Sequence, residues 1–164
     1  MIIWFTGLPS SGKSTLAVAV AERLTDRPVR VFDADLMRRA LWPELGFSKQ
    51  DRDANVKRLG RVARLLEKHN VTVLVAAISP YRATRQFVRE MMETFVEVYV
   101  RCPVDECIRR DVHGLYKKAL VGEIKGFTGI DAPYEEPTTP EVVVDTDKES
   151  VTACVEKILD VVCQ

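Results

Sequence analysis

A chain of 164 residues, 46% hydrophobic and 29% charged, is the size of one soluble domain and can bury roughly 70% of the surface its unfolded form exposes. Its 24 Lys and Arg balance 24 Asp and Glu, so no global field draws it to DNA or an anionic membrane, which leaves local recognition. No apolar run approaches the roughly 18 residues of a membrane span, and the apolar start is too short and lacks a signal peptide's basic leader. Cys102, Cys107, Cys154 and Cys163 form no CxxC pair, so reduced thiols in a cytoplasmic protein are expected.

Ile2–Thr6 is a short apolar run ending at a glycine-rich turn and predicts a buried strand. A helix follows from Lys13 to about Leu24, then a second strand over VRVF (29–32) that ends at Asp33. A short helix over Leu36–Leu41 is broken at Trp42 and Pro43. Ser48 and Asp51 have capping-box spacing ahead of a long helix from about Lys49 to Lys68. VTVLVAAI (71–78) is continuous and Val-rich, as in a central parallel strand buried on both faces, and Pro80 stops it. Helix 82–93, strand 95–100, helix 104–111, strand VVVD (142–145) and helix Lys148–Val162 complete the order. Strands alternating with helices predict a three-layer α/β fold on a mostly five-stranded parallel sheet. No repeat or linker divides residues 1–164, which read as a single domain. The exception to regularity is Val112–Pro140, with four glycines and three prolines, which reads as a lid of about 112–140.

GLPSSGKST, from Gly7 to Thr15, fits the phosphate-binding loop G-x-x-x-x-G-K-[ST], and it lies between a strand and a helix as that loop requires. Gly7 and Gly12 let the chain wrap around the loop Leu8, Pro9, Ser10 and Ser11 and on to Thr15, so that its available backbone N–H groups (all but that of Pro9, which has none) point inward at a helix N-terminus that favours anions. Lys13 would reach the β- and γ-phosphates of ATP, and Ser14 would place its hydroxyl on Mg²⁺. No N-K-x-D motif reads a guanine base, and the central strand 71–78 runs into Ser79 and Pro80 without the carboxylate that a motor ATPase carries there. Small size and the basic lid favour a kinase for a small molecule, closed against water.

Asp33 and Asp35 follow the second strand, where open α/β sheets place ligands. One carboxylate can serve a Mg²⁺-bound water and the other an acceptor hydroxyl, with Asp35 favoured as the base; either can instead cap the next helix. Arg52 and Asn55 share a face near the positive end of the long helix, suited to a second anionic ligand. Phe47, just before it, could stack on a base or staple the helix start.

These segments resemble the adenylylsulfate (APS) kinase family nearly end to end: GLPSSGKST, DADLMR, LGFSKQDRDANVKRLGRVA, ISPYRATR, RDVHGLYKKALVGEIKGFTGIDAPYE and PEVVVDT, in order. The resemblance implies a P-loop NTPase fold and transfer of the ATP γ-phosphoryl to the 3′-hydroxyl of APS, giving PAPS for sulfate assimilation. It implies that Phe47 and Phe127 sandwich the adenine of APS, and that Arg52 and Asn55 grip its phosphosulfate and ribose. It further implies that Ile78 and Ser79 line the acceptor site, with Arg38 and Gly126 also at the substrate, Arg110 at ATP, and a homodimer. Some family descriptions make the ISP serine, here Ser79, a phosphoenzyme site; direct in-line transfer is favoured, since no adjacent residue marks Ser79 as an activated nucleophile.

Arg109 and Arg110 just before the lid and Lys117, Lys118 and Lys125 within it form a positive cluster, and Lys117 or Lys118 is the first choice to neutralise the moving phosphoryl group. The chain departs from the family at Ala34, where Gly is usual, at Leu36, where Asn is usual, and at His113, where Lys is common. Each departure removes a contact or adds bulk near APS and leaves the chemical core intact. Two other readings remain: a kinase of the same fold for a sugar acid or nucleoside, and a nucleotide-binding module without catalysis.

Overall fold

Period-two alternation along the strands builds the layers. In the computed structural model, which describes residues 1–163, Ile3 and Phe5 of the first strand turn to one face while Ile2 and Trp4 turn to the other. The strands are β1 (Ile2–Thr6), β2 (Val29–Asp33), β3 (Thr72–Ala76), β4 (Phe95–Arg101) and β5 (Val142–Asp145). Their order is β2-β3-β1-β4-β5 and every neighbouring pair is parallel. All five residues of β1 and of β3 are buried, as a parallel sheet covered on both faces demands.

The helices are α1 (Lys13–Arg23), α2 (Ala34–Leu41), α3 (Lys49–Glu67), α4 (Arg82–Met91), α5 (Val104–Arg110), α6 (Leu115–Leu120) and α7 (Val151–Val162). Leu16, Ala17 and Val20 of α1 and Cys154, Val155 and Ile158 of α7 close one face of the sheet. Val56, Leu59 and Ala63 of α3 and Val88 of α4 close the other around Trp4. Each large apolar side chain fully buried in these layers contributes about 1.5–3 kcal/mol. Chain order reverses direction at β1, the central strand, so the loop that follows it opens at the topological switch point where such folds bind ligands.

Several boundaries differ from the sequence reading, α4 among them, which stops at Met91 rather than 93; three have a clear local reason. α2 starts at Ala34, two residues early, because the Asp33 carboxylate accepts from the N–H groups of Asp35 and Leu36. α7 starts at Val151, because Ser150 caps it through the Ala153 N–H and the Lys148 N–H turns back to the Asp145 carbonyl. The 71–78 run is strand only to Ala76; Ala77 and Ile78 leave the ladder. At α3 the capping residue is Ser48, whose Oγ accepts from the Asp51 N–H at 3.1 Å. Asp51 answers with its carboxylate on the Ser48 hydroxyl, at 2.7 Å.

The 112–140 segment is less irregular than its glycines suggest. It carries α6, whose first turn is held by the Asp111 carboxylate accepting from the N–H groups of Tyr116 and Lys117 at 2.9 and 3.0 Å. Tyr116 is fully buried with Cys102 and Cys107, so one aromatic ring fastens this segment to the body of the protein.

Candidate active site

The phosphate loop has the backbone its glycines permit. A Cβ on Gly7 would lie 2.5 Å from the Val100 carbonyl oxygen, so only glycine fits there. Gly12 has φ 101°, a conformation that disfavours any side chain, and it delivers the chain into α1 with no side-chain cap. The first N–H groups of α1 are thus left to an anion. Ser10 also takes a left-handed conformation, at φ 61°, and Leu8, Pro9 and Ser10 line the half-exposed rim. The Ser11 N–H closes a turn on the Leu8 carbonyl, while Ser14 and Thr15 are exposed at the start of the helix.

Lys13 is buried beneath the loop, where its Nζ donates to the Leu8 carbonyl at 2.6 Å and lies 3.4 Å from Ser11 Oγ. Burial lowers its pKa to about 8; attraction from the Asp35 and Asp33 carboxylates opposes the shift without cancelling it. The ammonium is therefore held ready for a negative partner. Burial also pushes the nearby Cys107 thiol up to about 12, which keeps it protonated and inert.

Asp33 joins the two halves of the site. One carboxylate oxygen accepts from the Asp35 and Leu36 N–H groups at 3.0 and 3.2 Å, and the other accepts from Ser14 Oγ at 2.7 Å. Asp33 is therefore both helix cap and partner of the loop serine. Asp35 is exposed, with its carboxylate close enough to Lys13 to act on it.

On the donor side, Arg110 donates to Thr146 Oγ1 and to the Thr146 carbonyl at 3.1 and 2.7 Å, and Thr146 Oγ1 donates to the Ser11 carbonyl at 2.8 Å. Arg109 and Arg110 hold the Glu106 carboxyl down at about 2, so it stays charged and fixes Arg110 in place. Thr146 went unnoticed in the sequence. Its place directly after a strand's C-terminal end was the signal available. Tyr116 was missed as well: its OH donates to the Pro9 carbonyl at 3.1 Å and its ring meets Phe127 edge-on, centroids 4.9 Å apart.

On the acceptor side, Phe47 is 68% exposed and backed by the Arg38 guanidinium, 3.8 Å from its ring centroid. Arg38 also donates to the Gly46 carbonyl at 3.0 Å. Arg52 reaches the loop at 126–128 rather than solvent, donating to Thr128 Oγ1 at 2.9 Å and to the Gly126 carbonyl. Asn55 is buried; its Oδ1 accepts from the Trp42 indole at 2.6 Å, which leaves its amide NH₂ for other partners. Phe127 is half-buried, while Lys117 and Lys118 are exposed on α6.

Ile78 and Ser79 follow the end of β3, beside the phosphate loop's strand. The Ile78 carbonyl accepts from Thr6 Oγ1 at 2.8 Å. Ser79 has φ 41° and is 2% exposed; its hydroxyl accepts from the Trp4 indole and donates to Thr6 Oγ1, both at 3.0 Å. That hydroxyl is absorbed in a buried network with no base as partner. Arg85, also missed, donates to the Ser79 carbonyl at 2.6 Å, to the Glu135 carbonyl at 2.7 Å and to Glu97 at 2.8 Å. Of the departures, Ala34 is buried, whereas Leu36 and His113 are exposed.

Among the described residues no group of three or more His, Cys, Asp or Glu side chains is placed to hold a metal by itself. Ser14 and Asp33 do offer neighbouring oxygens, the donor type Mg²⁺ takes when phosphates and water complete its shell.

A phosphate loop at the switch point of a five-stranded parallel sheet, facing two carboxylates and touched by Tyr116 at Pro9, defines a P-loop kinase of small molecules. The family model described as adenylylsulphate kinase matches residues 1–145, and the chain belongs to that family. It is 53% identical over 159 residues to an adenylyl-sulfate kinase of Synechococcus sp. (strain JA-3-3Ab), covering 96% of this chain and 90% of that one. It is 54% identical to the adenylyl-sulfate kinase of Gloeothece citriformis (strain PCC 7424), with the same coverage. The Mycobacterium tuberculosis APS kinase CysC, solved in complex with AMPPNP and APS, superposes with a TM-score of 0.94 at 38% identity, covering 99% of this chain and 97% of that one.

Proposed function

We propose that the chain transfers the γ-phosphoryl of ATP to the 3′-hydroxyl of adenosine 5′-phosphosulfate, giving PAPS. The observation that carries this reading is the Ser14–Asp33 contact, which sets the donor loop directly against the carboxylate pair at the head of α2. Gly7–Thr15 cradle the triphosphate, Lys13 compensates its β- and γ-phosphates, and Arg110, braced on Thr146, flanks the donor nucleotide. Mg²⁺ would be held by Ser14 and Asp33 together with the phosphates, and when bound it neutralises charge on the β- and γ-oxygens.

Both Asp33 oxygens are already engaged, so Asp35 is the freer carboxylate to orient and deprotonate the acceptor hydroxyl. Phe47 and Phe127 flank the acceptor adenine; Arg38, Arg52 and Asn55 meet its phosphosulfate and ribose; Ile78, Ser79 and Gly126 line the wall. Lys117 neutralises the phosphoryl group in flight. Direct in-line transfer fits a Ser79 hydroxyl held in a buried network better than a phosphoserine does. Assembly as a homodimer and a cytoplasmic site of action belong to the same reading; no helix among the described residues is long and apolar enough to cross a membrane.

Coupled ADP release tests the assignment. APS-dependent turnover is expected, and its absence from folded protein overturns it. Turnover with a sugar acid or nucleoside in place of APS points to the rival kinase, and tight ATP binding without transfer to any acceptor points to a non-catalytic module.

A pH effect follows from Lys13. Phosphates set against the ammonium favour its charged form and raise its pKa from about 8. ATP binding near pH 9 is therefore expected to take up most of one proton, and ATP affinity to weaken as pH rises above about 8. Near pH 7 the ammonium is charged with and without nucleotide, so this uptake vanishes. Calorimetric titration in buffers of different ionisation enthalpy measures it, and Lys13→Ala should abolish it.

A further inference from the structure

The two groups that Arg52 holds, the Gly126 carbonyl and the Thr128 hydroxyl, stand on either side of Phe127. The loop between them is braced from within. The Asp131 carboxylate accepts from the Gly126 and Phe127 N–H groups at 2.8 and 2.6 Å, and these bonds hold its pKa below the usual carboxylate range. The Phe127 carbonyl accepts from the N–H groups of Ile130, Asp131 and Ala132. This makes a compact unit with few internal freedoms, but none of these bonds ties it to α3. That tie is made by Arg52. Thr128 is 3% exposed, and its β-branched side chain is restricted to few rotamers, so its hydroxyl meets the guanidinium at a fixed point. Phe127 packs on Tyr116, and Tyr116 is bonded to Pro9 of the phosphate loop. One chain of contacts therefore runs from the donor loop through Phe127 to the first turns of α3.

We propose that Thr128 is a positioning residue for the acceptor nucleotide: by fixing Arg52 it sets Phe127 at the height where it faces the acceptor's base. The inference rests on the reading that Phe127 flanks the adenine of APS. Valine at 128 keeps the shape and removes the acceptor atom, so a guanidinium N–H faces a methyl group; serine keeps the acceptor atom.

The test uses the full chain with Thr128→Val and Thr128→Ser, with APS and ATP varied separately. Thr128→Val is expected to raise the KM for APS roughly tenfold, the loss of one charge-assisted hydrogen bond, while kcat stays within about twofold and the ATP KM is unchanged. Thr128→Ser is expected to remain within about twofold of the parent in all three. Hydrogen exchange on the nucleotide-free protein should show faster exchange at the 126–128 amides in the valine variant and not in the serine variant. An unchanged APS KM for Thr128→Val overturns the proposal, and so does a joint loss of kcat, both affinities and melting temperature. If the parent shows no APS-dependent turnover, the acceptor reading fails by itself. Exchange at 126–128 then still decides whether Thr128 holds the loop, and unchanged exchange overturns that too.

Discussion

Lys13→Ala is expected to lower kcat by at least about 100-fold, the scale of losing a preorganised charge at a developing anion. The variant should also be no less stable than the parent at pH 7. The folded chain holds the Lys13 pKa at about 8, below its ordinary 10.5. The unfolded chain therefore binds more protons between those values, so the burial cost is fully present below about pH 8 and is relieved as pH rises towards 10.5. That cost is about 3 kcal/mol, and alanine removes it along with two hydrogen bonds to the loop. Catalysis and stability should thus part company, with turnover collapsing while the melting temperature holds or rises. Single-turnover rates and thermal melts at pH 7 check the pair. A near-normal rate would show that Lys13 does not meet the phosphates, and a large fall in melting temperature would assign the lost activity to misfolding.

The loop was legible because its requirements are local. Gly7 and Gly12 are needed where the backbone approaches Val100 or turns left-handed, and those needs write themselves into a fixed spacing. The strands were legible because burial on both faces leaves unbroken apolar runs, as in Ile2–Thr6 and 71–78. Asp33 was only half legible. Sequence spacing set a site role against helix capping as alternatives, whereas different oxygens of the one carboxylate cap α2 and bind Ser14 of the loop at once. α6 was hidden because the six residues of Leu115–Leu120 carry too little periodicity, and the Tyr116 ring that secures them is an ordinary residue until the fold surrounds it. Arg52 read as a ligand-gripping charge, yet it also holds the loop at 126–128, a contact 76 positions away that no local pattern encodes. Arg85 stayed out of view for the same reason: its partners Glu97 and Glu135 lie far along the chain.

Arg85 carries the second large effect. Its side chain and that of Glu97 are 4% and 9% exposed and 2.8 Å apart, so Arg85→Met leaves a buried carboxylate with only the longer contact from Arg89, at 3.3 Å. A loss of about 3–5 kcal/mol of unfolding free energy is expected, read by urea denaturation. The same guanidinium also donates to the carbonyls of Ser79 and Glu135, and these bonds concern the acceptor wall. Ser79 sits at φ 41° without being glycine, a conformation costing about 1–3 kcal/mol that its surroundings must impose. Trp4 and Thr6 hold its hydroxyl; Arg85 holds its carbonyl. Replacing both ions, Arg85→Met with Glu97→Met, removes the stranded charge, and a well-packed apolar pair is expected to regain most of the stability. Turnover should not return with it, because neither methionine donates to Ser79, and kcat/KM for the acceptor is expected to stay about tenfold low. Recovery of both in the double variant would reduce Arg85 to a structural counter-ion. A loss below about 1 kcal/mol in the single variant would mean that Arg89 alone compensates Glu97, and that the wall keeps its shape without the bridge.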